Sequence, residues 1–217
     1  MKDRSSVAII DVGSSTLVTL IGERGVNNSF KISGRGDIYY AGFHGAEFLE
    51  PDNLKYAVAS SLSNAEMLSD KKIYEIYVGV PGEFCSCVTK SINLTFPKSK
   101  KITQYDVQSI FDTGNDFGDD PMYKVINKSV IYYELDGVKR VIDPIGLKAK
   151  SITGHVSYIL ARKSFLTMFQ TIFAELKVMV KGFISANLAE SYTFSTTEQE
   201  TNMRFLLTLA TSQQTCA

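Results

Sequence analysis

Asp11-Val12-Gly13-Ser14-Ser15-Thr16 is the stretch of this 217-residue chain whose residue types and spacing point most directly to chemistry. A turn carrying Gly13 and a run of hydroxyls exposes backbone N–H groups that can cradle a phosphate. Asp11 can hold the water shell of a magnesium ion. The candidate cofactor-binding residues are therefore Asp11, Gly13, Ser14, Ser15 and Thr16, with Asp11 the candidate on the metal side. The β-rich apolar runs on either side, within residues 7–22, make the same stretch a hairpin turn, and on its own a plain structural turn is the commoner reading of such a pattern. Other chemistry finds less support. Cys85 and Cys87 share one face of a strand-like run, and His44 and His155 are isolated, so a metal site lacks ligands. The acidic loop 115–121 resembles a calcium loop but lacks the closing bidentate glutamate. No Ser-His-Asp, Cys-His or paired-carboxylate arrangement stands at a telling spacing.

Composition narrows the classes. Lys and Arg number 23 against 23 Asp and Glu, so net charge gives no nucleic-acid footprint. With 44% hydrophobic residues and 11% aromatics, the chain reads as globular and long enough to bury a core. No apolar run approaches the roughly 18 to 20 residues that span a bilayer. The first residues lack the apolar region of a signal peptide, and the expected location is cytoplasmic.

The elements that must position the turn follow in order. Residues 29–40 read as a third strand, entering a glycine-bearing loop over 41–48. Pro51-Asp52-Asn53 starts a helix in which Leu54, Ala57, Val58, Ser61, Leu62, Ala65 and Leu68 recur at three-and-four spacing. A buried-strand pattern over 73–80 stops at Pro81-Gly82. Beyond it, 84–96 is β-rich and ends at Pro97, and Lys98-Ser99-Lys100-Lys101 reads as a solvated basic linker. Thr103 caps a helix ending near Gly114. Strands are expected over 123–135, 138–142 and 148–160, with Asp136-Gly137 as a turn and 143–147 as a loop. Ser164 is expected to cap a helix with Phe165, Met168, Phe169, Ile172, Phe173 and Leu176 on its apolar face. A short strand over 177–183 and a small-residue helix over 185–192 follow. The fold class is α/β with a small α+β module between its two halves.

In this order the segments resemble the N-terminal half of the FtsA family, the bacterial actin-like cell-division proteins. Residues 7–22 are similar to its first phosphate loop between two strands. Residues 73–82 stand where a strand leads into its inserted subdomain. Asp143-Pro144-Ile145-Gly146-Leu147, with His155-Val156 after it, resembles the family's Asn-Pro-x-Gly-Leu segment and following His-Val strand. Residues 183–192 resemble its Phe-Ala-Gly-Leu-Ala-Ser-Ser-Tyr helix. The resemblance covers about residues 5–205. It implies an actin-like ATPase (ribonuclease-H-like) lobe, subdomain 1A, at 1–82 and 161–205, and the inserted α+β SHS2 subdomain, 1C, at 83–160. It also implies ATP with magnesium between two lobes, and division-ring or other cytoskeletal proteins as partners. Self-association through the inserted subdomain and recruitment to the inner face of the membrane at the division site follow from it too, with no nucleic acid involved.

Three departures temper those implications. Thr16 stands where many members carry lysine or another long polar residue, leaving phosphate charge less neutralised. The family's second phosphate loop, adenosine pocket and membrane-anchoring helix have no counterpart in these residues. Weak or no ATP binding is therefore expected, with at most a weak ATPase when a second lobe is present. Finally, Phe205-Leu206-Leu207 begins the strand that should carry the second phosphate loop, and 208–217 do not continue it. One allowed codon choice for 206–216, shifted back by one base, encodes Ala-Asp-Ile-Gly-Tyr-Ile-Thr-Thr-Asn-Leu. The corresponding expectation is a frameshifted or prematurely ended gene, with 206–217 a non-matching, disordered tail. Two other readings share the superfamily: a sugar or acetate kinase, whose catalytic carboxylate and sugar-binding loops are not found, and a type IV pilus assembly protein.

Overall fold

The computed structural model describes residues 6–25 and 30–189. They form two compact units: one made of residues up to Phe84 together with Lys163–Leu188, the other of Cys85–Arg162. The second is inserted in the sequence of the first.

The first unit is built on a five-stranded sheet. Its strands are β1 (Ser6–Val12), β2 (Thr16–Arg24), β3 (Phe30–Tyr39), β6 (Glu75–Val80) and β11 (Met179–Ser185). They lie in the order β3-β2-β1-β6-β11. β2 runs antiparallel to both β1 and β3, whereas β6 pairs parallel with β1 and β11 parallel with β6. A sheet in which only the second strand is reversed is the ribonuclease-H-like sheet of the actin-like ATPases. Parallel neighbours require crossovers. α1 (Pro51–Ser69) supplies one between β3 and β6, and α3 (Lys163–Glu175) precedes β11. An ion pair between Lys55 and Glu175 ties the two helices together.

Apolar spacing decides which face each helix buries. Leu54, Val58, Leu62 and Ala65 bury one side of α1 against β2 and β3. There the helix backbone comes very close to the sheet. A Cβ on Gly36 would sit 2.0 Å from the Ser61 carbonyl oxygen, so only glycine admits α1 at this distance. The polar groups trapped beneath are paired: Thr19 Oγ1 and Ser61 Oγ are 2.7 Å apart, and Ser61 Oγ donates to the Gly36 carbonyl at 2.9 Å.

Between β3 and α1 the sequence suggests a loop, and the structure places a small hairpin in it: β4 (Phe43–His44) and β5 (Glu47–Phe48). Gly45 and Ala46, both at positive φ, form its turn. Its function in the fold is aromatic. Phe48 stacks on Phe84 and Phe165 at 5.2 and 6.0 Å, and Phe43 meets Phe84 edge-on at 5.1 Å. Phe165, Phe169 and Phe173 continue the cluster along α3. Each such buried phenyl contributes about 1.5–3 kcal/mol.

The second unit is a four-stranded antiparallel sheet in the order β7-β10-β8-β9, from β7 (Cys85–Lys101), β8 (Tyr123–Leu135), β9 (Lys139–Val141) and β10 (Lys148–Arg162). α2 (Gln104–Gly114) packs Val107 and Ile110 onto Ile152, Val156, Tyr158 and Leu160. Thr103 starts α2 with a full capping box: its side chain accepts from the Asp106 amide, and Asp106 accepts from the Thr103 amide at 2.8 Å. Asp136 and Gly137, both at positive φ, turn β8 into β9.

Several expectations need correction. Residues 98–101 are not a linker; they are the end of β7, with Lys100 opposite Ala149 and Lys101 opposite Lys148. The register slips between Thr95 and Lys100, so Pro97 falls in the irregularity, where its missing N–H costs no ladder bond. Ser164 does not cap α3, because the helix begins at Lys163 directly from the end of β10. The strand expected at 177–183 is β11, shifted two residues toward the C-terminus. The end of the helix expected over 185–192, the expected reach of the lobe to 205 and the tail expected over 206–217 lie outside the described residues.

Candidate functional site

The Asp11–Thr16 stretch is the β1–β2 connection, with Val12 paired to Leu17 across the hairpin. The alternation that buries Ile10 and Val12 leaves Asp11 exposed between them. β1, β6 and β11 run parallel, so Asp11, Val80 and Ser185 all lie at the same, carboxyl-terminal edge of the sheet. In open α/β sheets that edge is where ligands bind. A Cβ on Gly79, the β6 residue beside Asp11, would lie 3.2 Å from Asp11 Oδ1. Ser185 ends β11 and accepts from the Leu188 amide at 3.4 Å as the chain turns helical.

The turn itself is held from one side. The Gly13 amide donates to the Thr16 carbonyl at 2.9 Å. Tyr40, just past β3, makes two further bonds: its amide donates to the Ser15 carbonyl at 3.1 Å and its phenol to the Gly13 carbonyl at 2.7 Å. Burial, and then the Asp11 charge, hold the Tyr40 phenol well above the usual tyrosine range, so it stays a donor. Gly42 completes the brace. Its φ of +83° suits glycine, and a Cβ there would stand 1.9 Å from the Ser14 carbonyl oxygen. Ser14 and Ser15 are exposed at the tip.

The structure thus brings all five sequence-derived candidates, Asp11, Gly13, Ser14, Ser15 and Thr16, to one edge of one sheet. The geometry suits a phosphate with a hydrated cation. Exposed serine hydroxyls and turn amides can donate, and Asp11 supplies a carboxylate that can accept from metal-bound water. No Lys or Arg occurs between Arg4 and Arg24, so charge neutralisation from this hairpin must come from amides and a cation. Among the described residues no cluster of three or more His, Cys, Asp or Glu could hold a metal directly. Sequence reasoning missed Tyr40 and Gly42, which lie 24 or more positions from the turn. The Gly79 inside an apolar strand was a readable sign of close backbone approach.

Comparison with known proteins agrees with this architecture. Residues 82–160 match the model of the SHS2 domain inserted in FtsA. The cell division protein FtsA of Escherichia coli K12 is 21% identical over 197 residues, covering 91% of this chain and 47% of that protein. FtsA of Neisseria meningitidis serogroup B is 24% identical over 153 residues, covering 70% of this chain and 37% of that protein. The chain therefore spans less than half the length of these relatives. Among solved structures, the PilM–PilN type IV pilus biogenesis complex superposes on 87% of this chain and 50% of the matched chain. Its TM-score is 0.55 at 10% identity, a likeness of fold alone. The inserted unit thus matches the SHS2 domain of FtsA, and nine-tenths of the chain is similar in sequence to FtsA proteins.

Proposed function

We propose that the chain acts as an FtsA-like cell-division or cytoskeletal protein, serving protein–protein interaction and assembly. In this reading 1–82 and 161–205 are subdomain 1A, and 83–160 are subdomain 1C, the surface that meets division proteins or further copies of the chain. The observation that carries it is the coincidence of the SHS2 match at 82–160 with the compact unit Cys85–Arg162. The protein works in the cytoplasm and is recruited to the inner face of the membrane at the division site. Among the described residues no helix is long and apolar enough to cross a membrane. Asp11, Gly13, Ser14, Ser15 and Thr16 provide one half of a site for ATP with magnesium: turn amides and hydroxyls hold phosphate oxygens, and Asp11 orients the hydrated cation. One side of a nucleotide leaves most of it in water, so these five residues by themselves hold ATP weakly.

A fluorescent fusion expressed in the protein's own cells tests the proposal. The expected result is a band at the division site that is lost when the inserted unit is replaced by a short linker. Uniform fluorescence would overturn the proposal. A signal confined to pilus-bearing sites would replace it with the pilus-assembly reading.

A further inference from the structure

The bonds that brace the 13–16 turn have a directional consequence. A trans peptide points its N–H opposite to its C=O, and no described peptide is cis. The Gly13 carbonyl accepts from the Tyr40 phenol, so the Ser14 amide points away from Tyr40. The Ser15 carbonyl accepts from the Tyr40 amide, so the Thr16 amide also points away. Between them the Ser14 carbonyl lies against Gly42, which turns the Ser15 amide the same way. Three successive amides are thus directed off the side of the turn opposite the brace. Successive N–H groups so arranged form an anion-binding concavity.

Resting on the phosphate-loop reading above, we propose that Tyr40 is the positioning residue of this site, fixing the Gly13–Thr16 peptides with their amides turned toward the ligand. Two features make a single tyrosine able to do this. Its ring is anchored, packing 6.4 Å from Phe48, which in turn stacks on Phe84 and Phe165. Its phenol is half-buried and kept protonated, so it donates to Gly13 across the whole neutral range. The brace matters more here because no Lys or Arg stands between Arg4 and Arg24 to pull phosphate into place at the turn. Amide direction must then be set in advance, which is what pre-organised donors contribute. The ligand class is a phosphoanhydride carried with a divalent cation, since the exposed Asp11 carboxylate repels a bare polyphosphate and favours a magnesium-bound one.

Tyr40→Phe is the informative variant, because it keeps the ring on Phe48 and removes only the hydroxyl. Magnesium pyrophosphate is the probe, titrated into isotopically labelled full chain and followed by NMR. In the variant, the Gly13 carbonyl resonance shifts, hydrogen exchange at the bonded Gly13 and Tyr40 amides quickens about tenfold, and pyrophosphate binding weakens several-fold. Far-UV circular dichroism and the amides of the inserted unit stay unchanged, which separates positioning from loss of fold. Tyr40→Ala, which also removes the ring, loosens the turn further. Unchanged Gly13–Thr16 signals and unchanged pyrophosphate affinity in Tyr40→Phe would overturn the role of Tyr40 while leaving the phosphate reading intact. Conversely, a loosened turn in the variant with no pyrophosphate response in the parent chain supports the brace and overturns the phosphate reading.

Discussion

Gly42 and Asp106 show what single residues decide in the two units. At Gly42 the positive φ costs an L-residue about 1–2 kcal/mol, and the Ser14 carbonyl occupies the place of a Cβ. Gly42→Ala is expected to cost about 1–3 kcal/mol in all, measured as a drop in the thermal midpoint of the first unit. Asp106 has a different sensitivity. Burial works to raise its pKa, but the Lys100 ammonium and the Thr103 amide and hydroxyl outweigh it and hold the carboxyl below its ordinary value. A depressed folded-state pKa contributes stability that is present above the unfolded value, about 3.9 for aspartate, and lost as pH falls through the folded value. The inserted unit should therefore weaken in acid below about pH 4. Urea midpoints followed against pH should show that loss, and Asp106→Asn should start weaker at neutral pH and change less in acid. Of these residues, the Thr103–Asp106 cap was half visible in the sequence, since threonine before a periodic run marks a helix start. The role of Gly42 was not, because it depends on a contact with Ser14 that only the tertiary fold creates.

The elements were legible where period and punctuation agreed. Leu54, Val58, Leu62 and Ala65 announced α1, and Pro81 marked the end of β6. The failures have a common cause in pairing. Residues 98–101 look like a solvated linker by composition, yet β10 pairs with Lys100 and Lys101, and backbone hydrogen bonds outweigh a run of lysines. Ser164 looked like a cap, but β10 passes into α3 without a break, leaving no position for one. The docking of α1 supplies a test at this scale. Gly36→Ala forces the helix away from the sheet at the Ser61 carbonyl, an overpacking change expected to cost about 1–3 kcal/mol. Hydrogen exchange should locate the loss in α1, β2 and β3. Protection confined to normal values there would contradict the close approach.

At the scale of the whole molecule, the chain is an actin-like lobe with an SHS2 unit placed in its sequence between β6 and α3. The aromatic cluster brackets both crossings: Phe84 closes the first unit before the insertion, and Phe165 follows soon after the chain returns. Phe165→Ala should cost about 3–5 kcal/mol, lowering protection throughout the first unit. Amides of the Ile152–Leu160 core in the second unit should keep theirs, since it has its own hydrophobic centre. The order of segments made this architecture readable in the sequence, because strand, helix and strand on either side of an α+β insert narrow the topologies sharply. The Asp11–Thr16 turn was legible as a motif only; its brace by Tyr40 and Gly42 needed the fold.

The half-site reading is tested most directly by isothermal calorimetry of MgATP titrated into the 217-residue chain. Binding through the Asp11–Thr16 side alone predicts a dissociation constant no tighter than about 1 mM, or roughly −4 kcal/mol. A dissociation constant near 1 µM, roughly −8 kcal/mol, would contradict it and require a nucleotide site complete within this chain.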